Sequence, residues 1–292
     1  MLRLSPILPI KKEGEPLQKN TYACPKCKGA LFLFDKCYKC FGGHSFDIAK
    51  EGYVNLLMGK GSGTHGDNRE MLLARNEFLS YGFYRPMADT VSRFLVEYGA
   101  VNGACRLLDI GCGEGYYTKL FADALSAIDG EVYAFDISRD AVRLAARHIA
   151  DGRERASFAV ASAYHLPYLD GSFTVATNLF SPLAPEEIAR VLCEGGHFVM
   201  VIPEENHLFG LKRAIYDTPY KNEVMPFDLA GFSLVKEERL TYTAVLDKKQ
   251  TLSLFAMTPY AYRTSDVGRE RVHALSSLET EIDFHILVYK KN

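Results

Sequence analysis

Three alternate glycines, Gly111, Gly113 and Gly115, follow an apolar run over 105–110 and precede a helical pattern. A strand, a sharp turn and a helix in that order form a ligand-binding loop. Glycine lacks a Cβ, so backbone N–H groups can be approached closely, and the next helix aims its positive end at the same place. The third glycine comes one residue earlier than in the dinucleotide fingerprint G-x-G-x-x-G. Two carboxylates belong to the stretch: Asp109 ends the strand, and Glu114 stands between the second and third glycines. Negative charge at those places repels a pyrophosphate and suits a ligand with an ammonium group and an uncharged linker. S-adenosylmethionine, an amino acid joined through a sulfonium to a nucleoside, meets that requirement. Asp136 closes the next expected strand, where a carboxylate can accept hydrogen bonds from both ribose hydroxyls. NAD enzymes share that feature, so Asp136 alone discriminates little. Ser138 is placed to cap the helix that follows.

A second set of reactive side chains lies upstream. Cys24, Cys27, Cys37, Cys40 and His44 crowd one short segment, while Cys105, Cys112 and Cys193 are scattered. Zinc takes four N/S ligands in a tetrahedron, commonly as two pairs on facing turns. Cys24 and Cys27 make the first pair. The second is Cys37 with Cys40 or Cys40 with His44; Gly42 and Gly43 would allow the turn that the latter needs. Spacing alone favours Cys37 with Cys40, since paired C-x-x-C knuckles are the commoner design. A segment with so few large apolar side chains needs such a staple to fold.

Length and charge set the frame. The chain has 292 residues, enough for one large core and a small appendage. No apolar run is long enough for a membrane helix. The start, with prolines at 6, 9 and 16, lacks a secretory h-region, so a cytoplasmic location is expected. Net charge is −2, but residues 1–60 hold ten Lys/Arg against five Asp/Glu. A basic first segment on an acidic body suits contact with a polyanion.

These residues must be positioned by alternating strands and helices. Strands are expected at 105–110, 131–136, 156–160, 173–178, 196–202, 232–242 and 279–290. Helices are expected at 115–127, 138–149, 184–193, 207–217 and 247–257. The alternation argues for an α/β doubly wound sheet. The expected division is an irregular lead (1–20), a zinc-binding module (21–60), a loop and helical linker (61–104) and the sheet domain (105–292).

The stretch Ala161-Ser162-Ala163-Tyr164-His165-Leu166-Pro167-Tyr168-Leu169-Asp170-Gly171-Ser172-Phe173 resembles the part of class I methyltransferases that meets the adenine; Ser162 stands where many members carry Asp. More specific motifs are Cys24-x-x-Cys27, the run His44-Ser45-Phe46-Asp47-Ile48-Ala49-Lys50-Glu51-Gly52-Tyr53-Val54-Asn55-Leu56-Leu57, Gly66-Asp67 with Glu70-Met71, Gly82-x-Tyr84-x-Pro86, and Leu108 to Thr118. With these the chain resembles the bacterial large-subunit rRNA guanine-N1 methyltransferases (RlmA-type, including the tylosin-resistance branch), from about Tyr22 onward. One departure is Cys193-Glu194-Gly195-Gly196, where a Lys-Pro-Gly-Gly turn is common.

The resemblance implies a class I methyltransferase Rossmann-like sheet, mostly parallel with its last strand antiparallel, and a small N-terminal zinc-binding domain. It implies zinc on Cys24, Cys27, Cys40 and His44, with Cys37 outside the set. It implies cofactor contacts from Tyr84, Glu114, Gly115 and His207, added to Asp109, Gly111, Gly113, Asp136 and Ser162. The implied partner is a 23S rRNA hairpin whose target base is splayed out; a homodimer is a further expectation, and no membrane is involved. Lys26, Lys28, Lys36 and Lys39 are expected to grip the RNA backbone. Guanine N1 carries a proton that some group must accept; Asp67, Glu70 and His207 are candidates by type, and no spacing chooses among them. Phe180 either stacks on the base or packs in the core. Two other classes are a methyltransferase of small molecules or proteins with the zinc module as lid, and a non-catalytic zinc-containing RNA-binding factor.

Overall fold

The computed structural model describes residues 21–58, 69–149, 156–224 and 227–292. The expected lead over 1–20 and the motif residues Gly66 and Asp67 lie outside them. Three short strands, β1 (Phe32–Phe34), β2 (Cys37–Lys39) and β3 (Ser45–Asp47), form an antiparallel sheet in that order. β4 (Tyr53–Asn55) leaves this small sheet and pairs in parallel with β8 (Ala156–Val160), Tyr53 opposite Phe158. Tyr53 and Val54 are buried on opposite faces of this strand, Tyr53 with Ala134 and Phe158 and Val54 with Tyr22 and Ala159, so the last strand of the expected module also edges the large sheet.

Helices α1 (Arg69–Ser80) and α2 (Arg85–Tyr98) come next. They are more than the expected linker. Phe78, Leu79, Met87, Val91, Phe94 and Leu95 are buried in one cluster with Leu107, Phe121, Phe284 and Ile286. A short β5 (Ala100–Val101) pairs with β6 (Ala104–Ile110). Then α3 (Tyr116–Leu125), β7 (Glu131–Asp136), α4 (Arg139–Ile149), β8 and β9 (Phe173–Leu179) follow in alternation. β9 is central and all seven of its residues are buried, as a parallel strand covered on both faces requires. Beyond it come α5 (Pro185–Val191), β10 (Leu192–Pro203), α6 (Phe209–Ile215) and β11 (Phe232–Asp247). The single helix expected before the last strand is three: α7 (Lys248–Met257), α8 (Tyr260–Arg263) and α9 (Asp266–Ala274). Pro259 and the capping Ser265, which accepts the Gly268 N–H, divide them. β12 (Ser277–Lys291) closes the chain.

The strand order is β11-β12-β10-β9-β6-β7-β8-β4. β12 runs antiparallel to both neighbours, Val201 facing Ile286 and Leu240 facing Phe284. The other central pairs are parallel. The edge strand β11 exposes Lys236 and Glu237, charges that discourage pairing with another sheet. No described helix is long and apolar enough to cross a membrane.

The small sheet is fastened to the large one through residues 21–24. Ala23 donates its N–H to the Pro167 carbonyl and Leu169 to that of Thr21, both at 2.9 Å. Tyr22 stacks on Tyr168 with centroids 5.3 Å apart. Arg190 on α5 holds the receiving segment, donating to the carbonyls of Leu166 and Tyr168 and pairing with Glu187 and Asp170.

Candidate functional site

The glycine loop lies between β6 and α3 at the C-terminal edge of the sheet, where open α/β folds bind ligands. Gly111 has φ +71°, and a Cβ there would stand 2.4 Å from that of Ser181. Gly115 opens α3 at φ +87°, its missing Cβ leaving room for Ala145 of α4. Where the loop's N–H groups go is decisive. Gly111 and Cys112 both donate to the Phe135 carbonyl, and Gly115 donates to that of Cys112. Gly113 donates to Asp136 Oδ2 at 3.1 Å. The expectation that the glycine N–H groups face a ligand is corrected: those of Gly111, Gly113 and Gly115, with that of Cys112, are spent in folding the loop. The carboxylates around it, acceptors only, fit the positive charge of S-adenosylmethionine.

Asp136 is half-buried, and its Oδ1 accepts the Ser138 N–H at 2.8 Å. The carboxylate is thus fixed at the loop, each oxygen accepting a backbone N–H. Ser138 also caps its helix, accepting from Ala141. Asp109 is 3% exposed beneath the loop. Thr118 donates to its Oδ2 at 2.5 Å and Thr177 to its Oδ1 at 2.8 Å, tying β6 to α3 and β9. Burial pushes its carboxyl up to about 6 in spite of those two donors. Asp109 therefore holds the loop from below. Glu114 is buried, and its carbonyl accepts from His148 on α4.

Tyr84 and His207, distant in sequence, meet with Tyr84 Oη 3.1 Å from His207 Nε2. His207 Nδ1 accepts the Asp283 N–H at 3.2 Å, so that nitrogen is unprotonated and Nε2 carries the hydrogen. Burial lowers the imidazole to about 3. Neutral, with one nitrogen accepting and the other donating to Tyr84, His207 has no lone pair for a proton from a substrate. As a candidate base it is corrected to a donor that orients Tyr84. Glu70 is exposed at the start of α1, and Asp67 lies outside the described residues.

Ser162 turns inward on its own loop, its Oγ accepting from Tyr164. It lines a cavity of about 550 Å³ between the small sheet and the large one, with Lys28, Leu56, His165 and Tyr168. One neighbour of the glycine loop was missed. Arg75 of α1 brings its Nη1 to 3.6 Å from where a Gly113 side chain would begin. The signal was a lone arginine on the apolar stripe Met71, Leu72, Phe78 and Leu79.

At the other site, the sulfur and nitrogen atoms of Cys24, Cys27, Cys40 and His44 all lie within 4.8 Å of one another. His44 Nδ1 is 3.5 Å from Cys24 Sγ and 3.4 Å from Cys40 Sγ, and the Cys27 and Cys40 sulfurs are 3.5 Å apart. A zinc tetrahedron with Zn–S near 2.3 Å has corners about 3.7 Å apart, so the four residues fit the ion. These are the four residues that the resemblance implied, and the spacing preference for Cys37 is corrected. Cys37 sits in β2 with its thiol toward the Tyr38 carbonyl, whereas the Gly42–Gly43 turn returns His44 to Cys40. Burial opposes ionisation of Cys40, but hydrogen bonds from the His44 backbone, Cys27 and the His44 ring bring its thiol down to about 6.

Residues 107–196 match the family described as "Methyltransferase domain", and residues 22–59 match "RlmA, N-terminal", a zinc ribbon. The chain is 33% identical to the 23S rRNA (guanine(748)-N(1))-methyltransferase of Streptomyces fradiae over 82% of its length and 85% of that protein's. It is 33% identical to a Micromonospora griseorubida protein (87% and 91% covered) and 28% identical to YxjB of Bacillus subtilis (93% and 98%). The names of both assign them provisionally to the 23S rRNA (guanine-N(1)-)-methyltransferases. With a zinc ribbon, a methyltransferase domain and relatives that run nearly its whole length, the chain belongs to the 23S rRNA (guanine-N1)-methyltransferase family.

Proposed function

We propose that this enzyme methylates N1 of a guanine in a hairpin of 23S rRNA. S-adenosylmethionine, bound over the glycine loop, supplies an electrophilic methyl group. The observation that carries the reading is the joining of two sites on one sheet. A basic zinc ribbon is clamped by residues 21–24 to the segment that follows β8, beside the edge where the cofactor loop opens.

The chain's own groups divide the work. The 111–115 loop shapes the cofactor seat, Asp109 braces it, and Asp136 takes the ribose. Glu114 suits the ammonium and Arg75 the carboxylate of the amino-acid end. The Tyr84–His207 pair closes that wall, and Ser162 marks the adenine side. Their main service is alignment, since an in-line displacement depends on holding nucleophile, methyl and leaving group in one line. On the ribbon, Lys26, Lys28, Lys36 and Lys39 are all exposed, and Phe41 beside them is 66% exposed. Ammonium groups interleaved with an aromatic ring suit a nucleic-acid backbone and its unpaired bases. Work on ribosomal RNA suits a cytoplasmic location.

Transfer of labelled methyl from S-adenosylmethionine to unmodified 23S rRNA, followed by mapping of the modified base, tests the reading. Label on a guanine N1 is expected. Label on a small molecule or protein supports the lid arrangement; tight RNA binding without label supports a non-catalytic factor. Reversing the four lysines to glutamate is expected to cut RNA affinity by about 100-fold at moderate salt while S-adenosylmethionine affinity stays. Unchanged RNA affinity would remove the ribbon's assigned role.

A further inference from the structure

Six non-glycine residues among those described have left-handed backbones: Lys28, Asp35, Asn102, Asp129, Phe180 and Leu208. The first four are polar residues of the kind that turns tolerate. Phe180 and Leu208 are bulky and apolar, and φ above zero is a genuine outlier for such side chains. Leu208 is buried. Phe180, at φ +62°, is 47% exposed, so core packing does not account for it. Strain kept in an exposed aromatic residue is a mark of a functional position.

Its surroundings hold it in place. Asn178, opposite Ile110 in the sheet, spans the turn: its Nδ2 donates to the Pro182 carbonyl and its Oδ1 accepts the Ser181 N–H. Ser181 Oγ donates at 3.0 Å to the carbonyl of Ile110, the last residue before the glycine loop. The turn that carries Phe180 is therefore tied to the strand that launches the cofactor loop. On its other side the Phe180 ring lies 5.4 Å from that of Phe284. Phe284 in turn packs 4.4 Å from His207 and 5.0 Å from Tyr84. One ring of this row is wet and the rest are buried.

We propose that Phe180 is the stacking platform for the splayed-out target guanine, an exposed ring held by a strained, doubly tied turn between the glycine loop and the Tyr84–His207 pair. The proposal rests on the methyltransferase reading above. A purine lying on this ring would sit beside the cofactor seat, because the turn is tied through Ser181 to Ile110 at the start of the glycine loop. Stacking recognises any base, so the ring supplies position and not sequence choice.

Phe180→Ala, Phe180→Leu and Phe180→Trp test it, with a 23S rRNA fragment that the wild-type enzyme methylates. For Ala and Leu, KM for RNA is expected to rise about tenfold or more, with S-adenosylmethionine affinity unchanged; Trp should restore much of it. Leu keeps the bulk without the π face, so its loss separates stacking from packing, and intact cofactor affinity reports a folded protein. With 2-aminopurine at the mapped position, wild type should quench the flipped base and Phe180→Leu should leave it brighter. Ala and Leu variants within about twofold of wild type in kcat/KM, or equal losses of RNA and cofactor binding, overturn the proposal. A wild-type enzyme that labels no 23S rRNA overturns the underlying reading instead, and the inference with it.

Discussion

At the scale of single residues, hydrogen-bond partners decide roles that residue type leaves open. His207 is a base by type. Its neighbours make it a neutral donor, with Nδ1 occupied by the Asp283 N–H and Nε2 directed at Tyr84. This has a consequence for stability. The unfolded chain protonates histidine near 6.5, whereas folded His207 resists protonation down to about 3. The unfolded state therefore takes up the proton first, and stability is lost as pH falls below about 6.5. Against His207→Gln, wild type is expected to lose up to about 1.4 kcal/mol more per pH unit between pH 6.5 and 5. Urea unfolding at several pH values measures it, and parallel slopes would show that His207 titrates normally. The glycines, Asp109, Asp136 and the acidic Glu114 were legible in the sequence because their spacing is local. The pairing of Tyr84 with His207 was not, because 123 residues separate them. Arg75 left only the trace of a charge on an apolar stripe.

At the scale of elements, the small sheet shows how a turn outvotes a motif. Cys37-x-x-Cys40 has the commoner zinc spacing, but β2 carries Cys37 within a hairpin and turns its thiol away. The Gly42–Gly43 turn then brings His44 back to Cys40. Purified protein is expected to hold one zinc, retained in Cys37→Ser and lost in His44→Ala, as metal analysis by atomic absorption would report. Loss of zinc from Cys37→Ser would restore the spacing argument. Most strands and helices of the large sheet were readable from alternation and periodicity, with β7 and β8 at their expected bounds. β4 was not, since three residues carry no period and their pairing with β8 crosses the chain. Helix α6 starts later than expected because Leu208 breaks the helical backbone at φ +58°.

At the scale of the molecule, the two sites share one framework and part of their support. Cys24, Leu31 and Cys40 lie in a cluster with Tyr22, Tyr168 and Phe173 and with Ile110 and Phe135 beneath the glycine loop, whereas the cofactor wall of Tyr84 and Leu208 rests in the cluster under α1 and α2. Chelation of zinc is therefore expected to lower the melting temperature and RNA affinity, and to weaken S-adenosylmethionine binding by less than RNA binding, by calorimetry. Cofactor affinity lost as fully as RNA affinity would show that the wall under α1 and α2 gives no independent support. The sequence by itself determined the fold class, the cofactor and the metal, because glycine spacing, strand–helix alternation and a cysteine cluster are local statements that need no partner. Tertiary structure alone decided the commitment of the loop amides, the neutral state of His207, the packing of α1, α2 and β4 against the large sheet, and the exposed ring of Phe180, and it brought His44 to the zinc cluster that the resemblance had implied against the spacing. Each of those depends on which distant side chain or carbonyl arrives within hydrogen-bonding or packing distance, and only the closed sheet fixes that.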